Sequence, residues 1–311
     1  MISAEQKKQL KGKGLLPTKD GKFSARLITV NGAVTAEQAE AMAEAAQKYG
    51  SGQLFYTTRL TVEIPGISYE SIPAFTEMIE KVQLKTGGTG SRVRPVVCCK
   101  GTVCVHGLTD TLALAEKIHK RFYEGWYDVK LPHKFKIGIG GCPNDCVKPE
   151  LHEFGIVAQK CPEFDEGSCN GCKKCTPSEV CPVHAIQHDK NGTTLENATC
   201  NNCGKCIGSC PFDCFNLRKA GFKLYVGGKW GKYPRVGTQL PGLYTEEEVM
   251  SIIEKTLLIY REQGKTGERM GVTVDRLGPE RFIELILDNA VLERKQAILD
   301  AELHLVGGAT C

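Results

Sequence analysis

Apolar and polar positions change period several times along this chain, and the changes mark its elements. Residues 1–22 are lysine-rich with no periodic apolar face, the pattern of an arm or of the lead-in to a first strand. Residues 23–29 read as a strand. Thr35-Ala36-Glu37-Gln38 has the form of a capping box, in which side chains satisfy the free N–H groups of a helix start, and it predicts a helix to about Lys48. Residues 54–64 read as extended and 71–82 as a second helix, together a βαβ-like unit. Gly87-Gly88-Thr89-Gly90-Ser91 then reads as a hinge.

Beyond the hinge, residues 93–98 form a candidate buried strand. Leu114, Ile118 and Phe122 recur at four-residue spacing on one helix face, which stops at Gly125. Residues 134–140, Lys-Phe-Lys-Ile-Gly-Ile-Gly, alternate as a strand does. A strand over 155–159 precedes a cysteine-rich block at 161–215, and the strand pattern resumes at 222–226. Val249, Ile252, Ile253, Leu257 and Tyr260 make a helical stripe behind the cap Thr245, ending at Gly264. Two more helices are expected around 279–288 and 290–303. The block therefore interrupts a larger body. The expected division is 1–85, then 86–160 joined to 216–311, with 161–215 inserted.

Composition narrows the class. A length of 311 residues suggests about two domains. A net charge of +4 is too weak to argue for nucleic acid, and a local anion pocket accounts for it equally well. The sequence opens without the apolar core of a signal peptide, and no apolar run reaches the roughly 18 residues of a membrane span. Sixteen cysteines in such a chain point to thiolates kept reduced for metal, hence to the cytoplasm of an anaerobic or oxygen-avoiding cell. Neither nucleic acid nor membrane is expected as a partner.

Twelve of the cysteines fall into three sets. Cys169, Cys172, Cys175 and Cys181, then Cys200, Cys203, Cys206 and Cys210, form two triplets, each followed by a Cys-Pro. This resembles the two-cluster ferredoxin pattern, in which the fourth cysteine of each run serves the other cluster. The resemblance implies one cluster on Cys169, Cys172, Cys175 and Cys210 and a second on Cys200, Cys203, Cys206 and Cys181. The first run departs by placing five residues before Cys181, which reads as a longer loop. Structural zinc is the competing reading of paired Cys-x2-Cys motifs. The third set is Cys98, Cys104, Cys142 and Cys146, spaced Cys-x5-Cys and Cys-x3-Cys among Gly101, Gly107, Gly140, Gly141 and Pro143. Such punctuation lets backbone come close to a bulky group. Cys99, Cys161, Cys214 and Cys311 stay unassigned.

Here the chain resembles the sulfite/nitrite reductase family, which binds a 4Fe-4S cluster through cysteines so spaced and couples it to sirohaem. Tyr56-Thr57-Thr58-Arg59, Val93-Arg94-Pro95-Val96-Val97-Cys98 and Leu131-Pro132-His133-Lys134-Phe135-Lys136 are similar to its three substrate-binding stretches, and Gly227-Gly228-Lys229-Trp230-Gly231 to a further loop. The resemblance implies an α+β fold. It comprises one sirohaem reductase repeat, a ferredoxin-like α/β half domain plus a cluster and sirohaem α/β domain, with an inserted ferredoxin domain holding two 4Fe-4S clusters. It implies Cys146 as the bridge to sirohaem iron, and Arg59, Arg94, Lys134 and Lys136 as the substrate set. Thr57, Arg92, Lys100, Asn144, Lys229 and Arg235 become candidate sirohaem contacts. His133 departs from the arginine common at that position. Gly141, where dissimilatory relatives commonly carry a second cysteine, is closer to assimilatory spacing.

The chemistry fits those residue types. Lys134 and Lys136, two apart on a strand, leave the same face, and an anion between them relieves their repulsion. Arginine forks match an oxyanion and stay charged, so Arg59 and Arg94 position the substrate. The plain alternative is that a Lys-x-Lys pair is a solvated strand face. The expected function is six-electron reduction of sulfite to sulfide with sirohaem and three 4Fe-4S clusters, fed by a ferredoxin or by flavin and iron–sulfur donor subunits. Nitrite reduction to ammonia and a non-catalytic electron-transfer subunit are the alternatives. Longer relatives take the cluster cysteines from one repeat and the cations from another, so this single repeat is expected to form a homodimer with shared sites.

Overall fold

The structure is a computed structural model that describes residues 2–305; Cys311 lies outside them. The lysine-rich start departs from expectation. Ser3 and Gln6 form a capping box that opens helix α1 (Ala4–Gly12), and β1 (Leu15–Pro17) follows. None of α1's residues is buried, so it carries no apolar stripe for a periodicity reading to detect. Next come β2 (Phe23–Ile28), α2 (Ala36–Tyr49) behind its Thr35 capping box, β3 (Phe55–Tyr56), β4 (Val62–Ile67), α3 (Ile72–Glu80) and β5 (Lys85–Thr86). The expected extended run 54–64 is broken by a turn at 57–61. The βαβ-like reading also needs correction. The strands run β1-β2-β4-β3 with β5 on β2, and every pairing is antiparallel. Phe23, Leu27, Ile64, Phe75 and Ile79 pack this sheet against α2 and α3 as a separate core.

The second body is a mixed sheet ordered β12-β11-β8-β7-β6. Its first strand, β6 (Val97–Cys98), is shorter than the predicted 93–98, because Pro95 has no N–H for the ladder and only Val93 pairs separately with Phe135. Helix α4 (Thr111–Ile118) carries the expected stripe but widens over His119–Glu124 into a π-helix. Strands β7 (Ile137–Gly140) and β8 (Phe154–Phe164) run parallel to β6. Parallel strands are covered on both faces, and all four residues of β7 are buried.

The cysteine block sits at the tip of a long hairpin. Strand β8 pairs antiparallel with β11 (Phe215–Val226), Phe164 opposite Phe215. Between them lie α5 (Thr176–Val180) and a two-stranded ribbon, β9 (Ile186–Asp189) with β10 (Gly192–Leu195). Their core consists of Cys181, Cys206 and Cys214 with Ala185, Ile186 and Phe215. After the short β12 (Thr238–Gln239), helix α6 (Glu246–Gln263) packs its stripe on the large core. Helix α7 (Met270–Leu277), absent from the pattern reading, precedes α8 (Pro279–Leu287). The helix expected over 290–303 is two short pieces, α9 (Ala290–Glu293) and α10 (Lys295–Asp300).

Candidate functional site: a cation cluster and three cysteine sets

The segments leading into the parallel strands carry the cations. Arg94 N donates to Phe135 O (2.8 Å) and Phe135 N to Arg92 O (3.0 Å), tying the lead-ins of β6 and β7 side by side. Phe135 is fully buried while Lys134 and Lys136 on either side are half-buried, the two-residue alternation expected. Arg59 arrives from the half domain on the 57–61 turn. That turn is closed by Leu60 N to Thr57 O (3.0 Å) and by the Thr57 and Thr61 hydroxyls at 2.7 Å. Arg59 Nη2 donates to Pro95 O (2.5 Å), while its Nε is buried and has no hydrogen-bond partner.

Arg94 Nη1 donates to Gly88 O (2.5 Å), and Arg26 Nη1 donates to the same carbonyl (3.1 Å). Arg26 was not singled out from the sequence. It pairs with Glu63 at 2.7 Å and is one of the cations that act on both Arg59 and Arg94. Its signal was a charge set between Ala25 and Leu27 in an apolar strand.

Behind the lysines lies a buried carboxylate. Glu153 accepts from Arg269 through Nε (2.7 Å) and Nη2, and from Lys136 N (3.1 Å). Neither Glu153 nor Arg269 stood out in sequence, because 116 residues separate them. Burial pushes the Lys136 ammonium down to about 8; Arg59, Arg269 and Lys134 push the same way, and Glu153 opposes them. Burial also lowers Arg59 and Arg94 to about 10 each. His133 falls to about 4 by burial and by Lys134, Arg269, Arg94 and Lys136. It is a neutral group among cations.

The fifteen described cysteines are all free of disulfides. Among the described residues no three His, Cys, Asp or Glu side chains converge as for a single metal ion. In the insert they instead ring two cavities. One of about 50 Å³ is lined by Cys169, Cys172, Cys175 and Cys210, with Cys214 beside them. The other, of about 10 Å³, is lined by Cys181, Cys200, Cys203 and Cys206. This is the crosswise division that the ferredoxin pattern implied. Donors spread around a space rather than drawn to a point suit a multi-iron cluster. Backbone N–H groups also reach sulfur, Ala185 to Cys181 at 3.2 Å and Asn202 to Cys200 at 3.4 Å.

The third set lies at the far end of β6, which Cys98 closes, and beyond the far end of β7. Burial raises the Cys142 thiol, and Cys99, Cys146 and Cys104 raise it further, so these three lie close to Cys142. Burial pushes Cys98 up to about 11, and a bound cation would favour the thiolate of such a group. The glycines here serve one loop against another. A Cβ on Gly107 would fall 1.9 Å from Gly101 O, and one on Gly141 would fall 3.0 Å from Gly101 Cα. Cys99, unassigned from the sequence, accepts Gly141 N–H at 3.2 Å. Burial raises the carboxyl of Asp145, next to Cys146, to about 7, and the neighbouring Glu150 carboxylate pushes the same way.

The insert folds back on this set. Lys160 N donates to Asn202 O (2.8 Å), Lys160 bridges to Cys203, and a cavity of about 220 Å³ is lined by both Cys142 and Cys203. The remaining sequence candidates scatter. Arg92 lies over the Tyr127 ring at 4.6 Å. Lys100 and Asn144 are exposed near the third set. Lys229 is bound to Arg235 only through the backbone. Arg235 itself is engaged by Asp275 at 2.7 Å, so its charge serves the fold first.

An antiparallel half domain joined to a mixed sheet with a cysteine-bearing hairpin tip defines the class, a two-part α+β reductase repeat. The chain belongs to the nitrite and sulphite reductase family. The nitrite and sulphite reductase 4Fe-4S domain matches residues 89–295, and the nitrite/sulfite reductase ferredoxin-like half domain matches residues 16–82. The chain is 33% identical over 251 residues to the coenzyme F420-dependent sulfite reductase of Methanocaldococcus jannaschii, a match that covers 80% of this chain but 39% of that longer protein. It is 28% identical over 278 residues to an anaerobic sulfite reductase subunit of Salmonella typhimurium, covering 82% of this chain and 80% of the relative. The crystal structure of dissimilatory sulfite reductase I superposes with a TM-score of 0.68 at 20% identity, over 93% of this chain and 73% of the other, a likeness of fold. No helix among the described residues is long and apolar enough to cross a membrane.

Proposed function

We propose that this chain is a sirohaem-dependent sulfite reductase that takes sulfite to sulfide with six electrons, releasing three oxygens as water. The observation that carries the reading is the buried, unpartnered Arg59 Nε set among Arg94, Lys134 and Lys136, a donor site for an oxyanion. Arg59 and Arg94 hold the anion by charge-assisted hydrogen bonds, and their high pKa keeps them from donating protons. Lys136, lowered to about 8, is poised to give a proton to a leaving oxygen. Sirohaem, when bound, supplies a metal that passes electrons singly to sulfur.

Cys98, Cys104, Cys142 and Cys146 are assigned to the 4Fe-4S cluster nearest the substrate, with Cys146 the bridge to sirohaem. Cys169, Cys172, Cys175 and Cys210, and separately Cys181, Cys200, Cys203 and Cys206, are assigned to the insert's clusters. The cavity shared by Cys142 and Cys203 supports an order in which the second of these sets is inner and the first is outer. A ferredoxin, or flavin and iron–sulfur donor subunits, would then deliver electrons at the outer set.

The cations precede β6 and β7, while the third cysteine set starts at the last residue of β6 and continues past β7. This separation supports a homodimer in which one copy's Arg59, Arg94, Lys134 and Lys136 face the partner copy's sirohaem.

Anaerobically purified protein is expected to show iron for three clusters plus sirohaem, a sirohaem band perturbed by sulfite or cyanide, and faster steady-state turnover of sulfite than of nitrite. A missing or unresponsive band would leave an electron-transfer subunit, and faster nitrite turnover would move the assignment to nitrite reduction.

A further inference from the structure

One side chain of the half domain reaches across to the third cysteine set. Asn31 follows β2 on a tight turn, where Ala33 N donates to Val30 O (3.1 Å), and it adopts the left-handed conformation at φ 61°. It is buried, 67 residues from Cys98 in sequence, yet it grips that cysteine twice. Its Oδ1 accepts from Cys98 N at 2.5 Å, and its Nδ2 donates to Cys98 Sγ. The first bond has a clear cause. Strand β6 is the edge of its sheet, and Cys99 N already donates inward to Ile139 O, so the Cys98 N–H faces outward and needs another acceptor.

The second bond reaches the sulfur, where a hydrogen bond alters redox chemistry. A donor on a ligating thiolate stabilises negative charge, and reduction adds negative charge, so the donor favours the reduced state.

The same turn also supports the substrate pocket. Thr29 Oγ1 accepts from Gly32 N (2.9 Å) and donates to Leu60 O, the residue after Arg59. Asn31 and Arg59 are thus held by adjoining turns, and the half domain touches both the cysteine set and the anion site.

We propose that Asn31 is a positioning residue for the substrate-side cluster, fixing the Cys98 backbone and raising the cluster's reduction potential through its N–H to the thiolate. The inference rests on the reading that Cys98 is a cluster ligand. Two substitutions separate the contributions, and both tolerate the left-handed backbone. Asn31→Gly removes both bonds, and Asn31→Asp keeps an acceptor for Cys98 N–H while replacing the donor. Each is made in the full chain, counted for iron, and titrated electrochemically while the reduced cluster is followed by electron paramagnetic resonance.

The expected result is wild-type iron content with a more negative midpoint. A roughly tenfold change in the reduced-to-oxidised ratio at fixed potential is anticipated, about 59 mV for a one-electron couple. An unchanged midpoint at full iron content in either variant overturns the proposal, and so does loss of iron from both, which would assign Asn31 to assembly alone. Cys98→Ser is the control on the underlying reading. Full iron and an unaltered cluster signal in that variant would remove Cys98 from the ligand set, a failure distinct from that of Asn31.

Discussion

Lys136 shows how one residue acquires a chemical role from its surroundings. Exposed lysines titrate near 10.4, but burial among Arg59, Arg269 and Lys134 brings this one to about 8 despite Glu153. Below that pH it is an ammonium that attracts an anion and can donate a proton; above it, the charge and the proton are both gone. Sulfite kcat/KM is therefore expected to fall as pH rises through about 8, measured by steady-state rates. Lys136→Arg keeps the charge without a transferable proton, so kcat should drop about 100-fold, the lower range for loss of a general acid, while KM changes little. The spacing Lys-x-Lys made this position legible in the sequence. Arg26, Arg269 and Glu153 were not legible, because their importance comes from partners at a distance that no local pattern records.

Among the elements, capping boxes and apolar stripes were read correctly at α2 and α6, while α7, a short helix that buries Met270 and Val274 in the large core, was missed. Helix α1 escaped because it buries nothing, and the π-helical widening after α4 has no sequence period of its own. The hairpin β8/β11 is the consequential case. Its short predicted strands are in fact long arms that carry the insert, and the insert's core is largely sulfur. Cys181, Cys206 and Cys214 stand where a larger domain would place aliphatic side chains, so the clusters proposed for the insert would contribute much of the folding free energy there. Removing iron with a chelator under reducing conditions is expected to abolish hydrogen-exchange protection in β9 and β10 and preserve it in β7 and the body-side half of β8. Protection that survives in the ribbon would show that the insert folds without metal.

At the scale of the whole molecule, the two halves of the proposed site occupy opposite ends of the parallel strands. Lys136 and Cys142 are six residues apart across β7, at most about 20 Å of extended chain. Large apolar side chains are exposed beside each half, Tyr56 near Arg59 and Val103 and Val105 around Cys104. In the proposed homodimer these side chains would lie at the contact between copies. Mixing Lys134→Ala chains with Cys146→Ser chains tests the arrangement. Shared sites predict one intact site in each mixed dimer, about half of wild-type activity, and so about a quarter for a preparation whose chains exchange at random. No recovery would place each site within one chain.

The sequence by itself determined the family, the three cysteine sets, the Lys-x-Lys pair and the main amphipathic helices. Each of these is written in local spacing, and spacing suffices where a few consecutive residues must meet one ligand or one face. The tertiary structure alone decided the antiparallel half domain, the position of the insert on a hairpin tip, the Glu153–Arg269 pair behind the lysines and the grip of Asn31 on Cys98. Those features depend on strand pairing and on contacts between residues far apart in the chain. Their energies come from burial and charge in the assembled fold, which local periodicity does not encode.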